Sequence, residues 1–222
     1  MKVFTYIKDN SGRVPKKNFR KIGNLELWKH LIYELKEFDV FIDTDSPQII
    51  DDCSELSHVT AYKRKQEFID LEHDPSNKIS PVMLMVDNFL DRYVPDDETI
   101  ILTHVTSPFL KKDTLYKAVR CLDDYNFVHS VHSVQDFAWL GDAFIPINFN
   151  PDVVQRTQDV PKIHFSSGAF FIFKKSTFKK YKNRLGPKTF YFKLSHAEAI
   201  EIDTEQDLEF ANTVYRGINE ND

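Results

Sequence analysis

Short runs rich in β-branched and aromatic residues recur along the 222-residue chain, and segments with helical apolar spacing separate most of them. The runs are Lys2–Ile7 (KVFTYI), Asp39–Thr44 (DVFIDT), residues 59–62, Thr99–Thr103 (TIILT), Phe127–Val134 and residues 169–173, with 190–194 as a further candidate. TIILT is apolar throughout rather than alternating, as expected of a strand covered on both faces. Apolar residues at helical spacing mark residues 25–38 (Leu27, Trp28, Leu31, Ile32, Leu35), a segment through Val82, Met85, Val86, Phe89 and Leu90, and residues 111–122 and 205–215. Ser46 before Pro47 reads as the N-cap and first residue of a helix reaching Leu56, and Thr204 as the cap of the last helix.

This alternation predicts an α/β fold, a three-layer αβα sandwich around a mostly parallel, Rossmann-like sheet. Right-handed crossovers then gather the loops after the strands along one edge, where open α/β sheets bind ligands. Residues 63–77 are polar and read as a connection. Residues 135–163 have no clear period and hold Phe137, Trp139, Phe144 and Phe149. They read as an insertion within one domain spanning 1–222.

A net charge of -5 argues against a nucleic-acid partner, which calls for a basic excess or stripe. It does not forbid a phosphate ligand, because a local cluster of cations can oppose the global sign. No run approaches a membrane-spanning length. The apolar start, residues 1–7, is too short for a signal peptide, so the expected location is cytoplasmic. Cys53 and Cys121 lie far apart, without metal-ligand spacing, and read as reduced thiols. His129, His132 and His196 lack partners at ligand spacing and read as structural.

The unusual polar residues fall after strands. The first loop, Lys8-Asp9-Asn10-Ser11-Gly12-Arg13-Val14-Pro15-Lys16-Lys17-Asn18, combines a glycine, small polar residues and four cations. A triphosphate needs such cations and close backbone N–H groups; the alternative is a solvated basic loop. It is not a Walker P-loop, since Gly-x-x-x-x-Gly-Lys-Ser/Thr is absent.

The segment NSGRVPKKNFRKIGN resembles the N-terminal signature of the acylneuraminate cytidylyltransferases, the CMP-sialic acid synthetase-like family. The resemblance continues through Asp43-Thr44-Asp45-Ser46, Tyr62-Lys63-Arg64, Val105-Thr106-Ser107-Pro108 and Arg156-Thr157-Gln158-Asp159. It ends with Ser167-Gly168-Ala169-Phe170-Phe171-Ile172 and Ile200-Glu201-Ile202-Asp203-Thr204-Glu205-Gln206-Asp207-Leu208, in the family's order and over nearly the whole chain. It implies transfer of CMP from CTP to the anomeric hydroxyl of a 3-deoxy-2-ulosonic sugar acid, with release of pyrophosphate.

By the same resemblance, Lys8, Asn10, Ser11, Gly12, Arg13, Lys17, Asn18, Arg64 and His104 hold the nucleotide. Lys17, Arg13 and Asp203 carry catalysis, with Lys17 beside the α-phosphate. Asp203 and Glu201 hold Mg²⁺, and their i, i+2 spacing puts both side chains on one face of an extended segment. Thr106, Ser107, Arg156, Gln158, Ser167 and Gly168 contact the sugar acid. The resemblance further implies a homodimer in which residues 135–163 form the dimerisation insertion and help close the sugar site. Read alone, Asp203 fits a cap of the last helix or a turn residue beside Thr204, and Arg156 and Asp159 a surface ion pair.

The chain departs from the family pattern at Lys8 (arginine), His104 (glutamine), Val105 (proline), Leu110 (arginine), Ser167 (asparagine) and Glu201 (aspartate). Arg13-Val14-Pro15-Lys16-Lys17-Asn18 differs from the loop of enzymes acting on the eight-carbon acid Kdo, which favours a nonulosonic acid. Two other classes remain at this stage. Asp43-Thr44-Asp45 spells the D-x-D metal motif of nucleotide-sugar glycosyltransferases, although it follows an early strand. The departures also allow a nucleotide-binding homologue that lost catalysis.

Overall fold

The computed structural model describes residues 1–77 and 79–219. Seven strands form one sheet in the order β11-β7-β10-β6-β1-β4-β5. These strands are β1 (Lys2–Ile7), β4 (Asp39–Thr44), β5 (Val59–Lys63), β6 (Thr99–Thr103), β7 (Phe127–Val134), β10 (Ile163–Lys174) and β11 (Thr189–Lys193). Short ladders join β2 (Lys21–Ile22) to β3 (Leu25–Glu26), and β8 (Trp139–Leu140) to β9 (Ile145–Pro146). The helices are α1 (Leu27–Glu34), α2 (Pro47–Cys53), α3 (Gln66–His73), α4 (Val82–Tyr93), α5 (Lys112–Val119), α6 (Lys175–Tyr181) and α7 (Glu205–Asn219).

Pairs β1–β4, β1–β6, β4–β5 and β7–β11 are parallel, as the alternation predicted. Strand β10 runs antiparallel to both β6 and β7. Residues 135–162 contain no crossover helix, so the chain re-enters the sheet from the edge at which β7 ends, and only an antiparallel return is open to it. The register of β10 against β7 shifts between Ser166 and Phe171. That irregularity frees Ser167 to Phe170 from regular pairing with β7, beside the site.

Alternation within β1 feeds both faces. Val3 and Ile7 join the core beneath α1, α2 and α5, while Phe4 joins the core with α4 and α6. A smaller cluster of Ile22, Leu27, Phe109, Ile202, Leu208 and Ala211 packs α7 against β2 and the start of α1. It ties the chain after the first loop to the segment carrying Glu201 and Asp203.

Several boundaries move. The helix expected over 25–38 begins at Leu27 and ends at Glu34, because Leu25–Glu26 pair with β2. Ser46 occupies the N-cap of α2, which ends at Cys53 rather than Leu56, but its hydroxyl donates to Asp9 Oδ1 at 3.0 Å instead of capping. Helix α3 stands where a polar connection was expected, and only Phe68 within it is buried. Helix α5 stops at Val119 and continues as a 3-10 turn over Arg120–Asp123. Strand β10 starts six residues before the expected 169, because 163–166 pair with β7 while staying largely exposed. Among the described residues no helix is long and apolar enough to cross a membrane. Cys53 and Cys121 are free, and burial raises the Cys53 thiol to about 11.

Candidate active site

The strand-following loops enclose a cavity of about 600 Å³ at the carboxyl edge of the sheet, a size typical of ligand pockets, roughly 300–1,000 Å³. One wall is the loop after β1, with Lys8, Asn10, Ser11, Gly12, Arg13, Lys17 and Asn18. The opposite wall is the turn after β6, with His104, Val105 and Thr106, together with Glu201 and Asp203. Tyr6 contributes from β1, and Glu72 and His73 from α3.

Hydrogen bonds within the chain build the cationic loop. Asn10 Oδ1 accepts from the backbone N–H of Ser11 (3.0 Å) and of Lys16 (3.1 Å). Asn18, nearly buried, donates through Nδ2 to the Lys8 carbonyl at 2.8 Å. Lys16 takes the left-handed conformation, φ 53°, where the chain turns into a short 3-10 helix over Lys17–Phe19. No protein atom lies within 4 Å of a Cβ built on Gly12, so nothing inside the chain demands a glycine there.

The acids come from an extended segment. Ile202 is fully buried and its N–H donates to the Thr106 carbonyl at 2.9 Å, which turns Glu201 and Asp203 together into the cavity. Thr204 and Asp207 form a reciprocal cap on α7: Asp207 Oδ2 accepts from Thr204 N–H (2.7 Å), and Thr204 Oγ1 accepts from Asp207 N–H (3.2 Å). Capping thus falls to Thr204 and Asp207, and the Asp203 carboxylate faces the cations. Lys17 Nζ donates to Asp203 Oδ1 at 3.0 Å and to the Ile202 carbonyl at 2.8 Å, and Arg13 Nη2 reaches Asp203 Oδ1 at 2.6 Å.

Glu201 lies deeper. The neighbouring His104, whose Nδ1 is 3.9 Å from Oε1, holds its carboxyl below the usual carboxylate range. The Gly168 N–H at 3.2 Å and the Thr106 hydroxyl at 3.3 Å act in the same sense, against the effect of burial. A Cβ at Gly168 would sit 2.5 Å from Glu201 Oε1 and 2.9 Å from His104 Nδ1, so only glycine lets these groups approach. Tyr6 OH lies 3.5 Å from His104 Nε2, and burial raises its phenol pKa.

Other expected site residues stand elsewhere. Arg64 does not line the cavity. It is 1% exposed, with Nε bound to Asp43 Oδ1 at 2.6 Å, Nη1 to Glu72 Oε2 at 2.9 Å, and Nη2 to the Ile7 and Asp43 carbonyls. Glu72 also holds Lys8 Nζ at 3.0 Å, so Arg64 bears on the cavity through Glu72. Asp43 is consumed by this buried pair, and Asp45 Oδ1 accepts from Asp9 N–H at 2.7 Å, which leaves the D-x-D motif no exposed carboxylate pair. Ser107 and Ser167 are buried away from the cavity. Gly168 bears on it only through its contacts with Glu201 and His104. Arg156 is exposed and pairs with Asp159 at 2.6 Å, and Gln158 lies in the adjoining 3-10 turn; neither reaches the cavity.

Tyr6, Glu72 and His73 line the cavity without having been singled out in the sequence, and Val105, noted there only as a departure from the family pattern, lines it too. Glu72 and His73 depend on α3, whose only buried residue, Phe68, makes too faint a stripe to signal a helix.

Two carboxylates open to one cavity suit a hard divalent cation that completes its shell with phosphate oxygens and water. Among the described residues no group of three or more His, Cys, Asp or Glu is placed to hold a metal ion.

Comparison with solved structures agrees with this architecture. The fold is similar to CMP:2-keto-3-deoxy-manno-octonic acid synthetase complexed with CTP, with a TM-score of 0.66 and 12% identity, over 97% of this chain and 98% of that one. It is also similar to 4-diphosphocytidyl-2C-methyl-D-erythritol synthase from Anaerococcus prevotii DSM 20548, with a TM-score of 0.64 and 14% identity, over 96% of each chain. Among curated proteins the chain is 26% identical, over 181 residues and 77% of its length, to N-acylneuraminate cytidylyltransferases of Streptococcus agalactiae serotypes III (strain NEM316) and Ia (strain A909). It spans 41% of the length of those relatives. The family model described as cytidylyltransferase matches residues 9–220, which hold the cationic loop from Asp9 onward, the acid pair and every strand of the central sheet except β1: this chain belongs to the cytidylyltransferase family.

Proposed function

We propose that this cytidylyltransferase moves CMP from CTP to the anomeric hydroxyl of a nonulosonic, sialic-acid-like sugar acid and releases pyrophosphate. The observation that carries the reading is the meeting of Lys17 and Asp203, 186 residues apart in sequence and 3.0 Å apart in space, across a cavity open to both. The 26% identity to N-acylneuraminate cytidylyltransferases supports the acceptor class.

In this reading the triphosphate lies along the loop from Lys8 to Asn18. Arg13, with its side chain 68% exposed, swings to the leaving pyrophosphate and offsets its charge. Lys17, 11% exposed and anchored by the Ile202 carbonyl, is fixed in advance beside the α-phosphate, where charge develops. Asp203 and Glu201 would hold Mg²⁺, which, when bound, neutralises phosphate charge and acidifies a hydroxyl ligand. The acceptor approaches from the Glu201 side, so that its hydroxyl and the leaving pyrophosphate lie in line, and positioning dominates catalysis.

We further propose a homodimer through the insertion. Trp139, Leu140, Phe144, Ile145 and Val154 are all at least half exposed there, an apolar surface that a second copy would cover while carrying its own Arg156 and Gln158 toward this cavity. A protomer mass in sedimentation at micromolar concentration would overturn the dimer.

The test is a pyrophosphate-release assay crossing the four nucleoside triphosphates with a panel of 2-keto-3-deoxy sugar acids, Kdo included. Release with CTP and a nonulosonic acid, reduced roughly a hundredfold or more in Lys17→Ala, is the expected result. Release with Kdo alone, or undiminished release in Lys17→Ala, refutes it.

A further inference from the structure

Arg184 lies in the connection between α6 and β11. Its guanidinium carbon stands 4.0 Å from the centroid of the Phe171 ring. His129 stacks on the same ring with centroids 4.3 Å apart and planes 11° apart. Two groups so close to one centroid must take opposite faces, so Phe171 separates Arg184 from His129. Arg13, Arg20, Arg64 and Arg156 each hold a carboxylate within 2.8 Å. Arg184 holds none among the described residues, where its hydrogen bond is made by the backbone N–H, to Asn183 Oδ1 at 2.7 Å. The side chain is nevertheless half-buried; burial works against its charge, and the Glu201 carboxylate, on the cavity wall, favours its protonated form.

A half-buried guanidinium that holds no carboxylate keeps its fork of donors open to one. Its position decides which ligand. The triphosphate-binding cations lie on the loop wall, whereas the Phe171 ring that Arg184 covers stands 6.2 Å from the ring of His104, the neighbour of Glu201 on the opposite wall. A dianionic phosphate there would face the Glu201 carboxylate. A single planar carboxylate matches the fork bidentately with half that charge. Beyond Phe171, His129 and Leu185 line a second, mostly apolar cavity of about 570 Å³, room for the acceptor's less polar substituents.

We propose that Arg184 binds the carboxylate of the acceptor and thereby selects sugar acids over neutral sugars. The assignment rests on the sugar-acid reading above. In a 2-ulosonic acid the carboxylate is bonded to the carbon that bears the anomeric hydroxyl. An arginine gripping the carboxylate therefore fixes the nucleophile one bond away, which gives Arg184 a role in orientation as well as affinity.

The experiment compares N-acetylneuraminic acid, and any better acceptor from the panel, with the corresponding methyl esters, on the wild-type protein, Arg184→Gln and Arg184→Lys. The wild type is expected to favour the acid. Arg184→Gln is expected to raise the KM for the acid roughly ten- to hundredfold, to erase the preference over the ester, and to leave the KM for CTP unchanged. Arg184→Lys keeps the charge and recovers part of the preference. A wild type that uses the ester as well as the acid, or an Arg184→Gln variant that still prefers the acid, overturns the assignment while the cytidylyltransferase activity stands. If no acid yields pyrophosphate, the functional reading fails separately. Calorimetry of N-acetylneuraminic acid on the CTP-loaded protein then decides: binding lost in Arg184→Gln supports the assignment, and equal or absent binding in the wild type overturns it.

Discussion

Gly168→Ala places one methyl group against the acid that lies deepest in the cavity. The new Cβ would stand 2.5 Å from Glu201 Oε1, where ordinary contact begins at 3.4 Å, so the carboxylate must retreat by about 0.9 Å. It would also press on His104 Nδ1 at 2.9 Å. The backbone at Gly168 is not left-handed, so alanine meets no φ penalty and the effect is one of space. A displacement near 1 Å at a catalytic group costs about a hundredfold in rate. The fold loses less. Overpacking costs about 1–3 kcal/mol, offset in part by the roughly 0.5–1 kcal/mol that a strand gains on losing a glycine. CTP affinity is expected to hold, because Lys17, Arg13 and the loop braced by Asn10 lie on the other wall. Steady-state pyrophosphate release and denaturant unfolding on one preparation check both parts. A folded Gly168→Ala protein with wild-type kcat refutes the claim that the position of Glu201 matters to the reaction.

Gly12→Ala is the converse case: with no atom within 4 Å of its Cβ and no positive φ, stability stays within about 0.5 kcal/mol, while the KM for CTP rises if the nucleotide fills that space; an unchanged KM removes Gly12 from the nucleotide path. Arg64→Met leaves Asp43 buried without its cation and costs about 3–5 kcal/mol, a fall in Tm near 10 °C or more, and Asp43→Asn added to it restores part of the loss; a wild-type Tm with a raised KM for CTP would return Arg64 to the nucleotide contacts. His129 supplies a pH dependence. Burial lowers its pKa to about 4 from 6.5, so the unfolded chain binds a proton that the native state refuses; the stability is fully present above the unfolded value and is lost as pH falls from there toward about 4. The loss amounts to at most about 3 kcal/mol, and urea unfolding of His129→Phe is expected to flatten that part of the profile; an unaltered slope refutes the assignment.

The parts of the fold legible in the sequence are those whose signal is local. Lys2–Ile7, Asp39–Thr44, Thr99–Thr103 and Phe127–Val134 were bounded correctly because each is rich in β-branched and aromatic residues and is followed directly by a polar residue. Topology then told where the loops must meet, which is why Lys17 and Asp203 fall together. Helices α3 and α6 were missed because each buries a single side chain, Phe68 or Phe178, and shows no stripe. The error carried into the site. Glu72 sits on α3, and without it nothing in the sequence separates an arginine that grips phosphate from one that, like Arg64, is already saturated by carboxylates. Arg184 is the opposite case, a residue with no motif around it whose interest comes from its place over Phe171 and from the carboxylate it lacks.

The cations of the cleft are paired within the chain: Lys8 with Glu72 at 3.0 Å, Arg13 and Lys17 with one carboxylate, Asp203. A triphosphate therefore has to compete with Asp203 for its own ligands. The two contests differ. The Arg13 pair is largely solvated, and such pairs contribute about 0–1 kcal/mol, so Arg13 is released at little cost. Lys17 is nearly buried and keeps the Ile202 carbonyl at 2.8 Å even when Asp203 lets go, so it stays in position without being recruited. In the proposed reading, Asp203, were it to hold a divalent cation, would loosen its grip on Arg13 and Lys17 and leave both side chains to phosphate. Nucleotide and metal then favour each other's binding through Asp203 as well as by direct contact, and the share carried by Asp203 is the part that Asp203→Asn, neutral and no longer gripping either cation, would abolish.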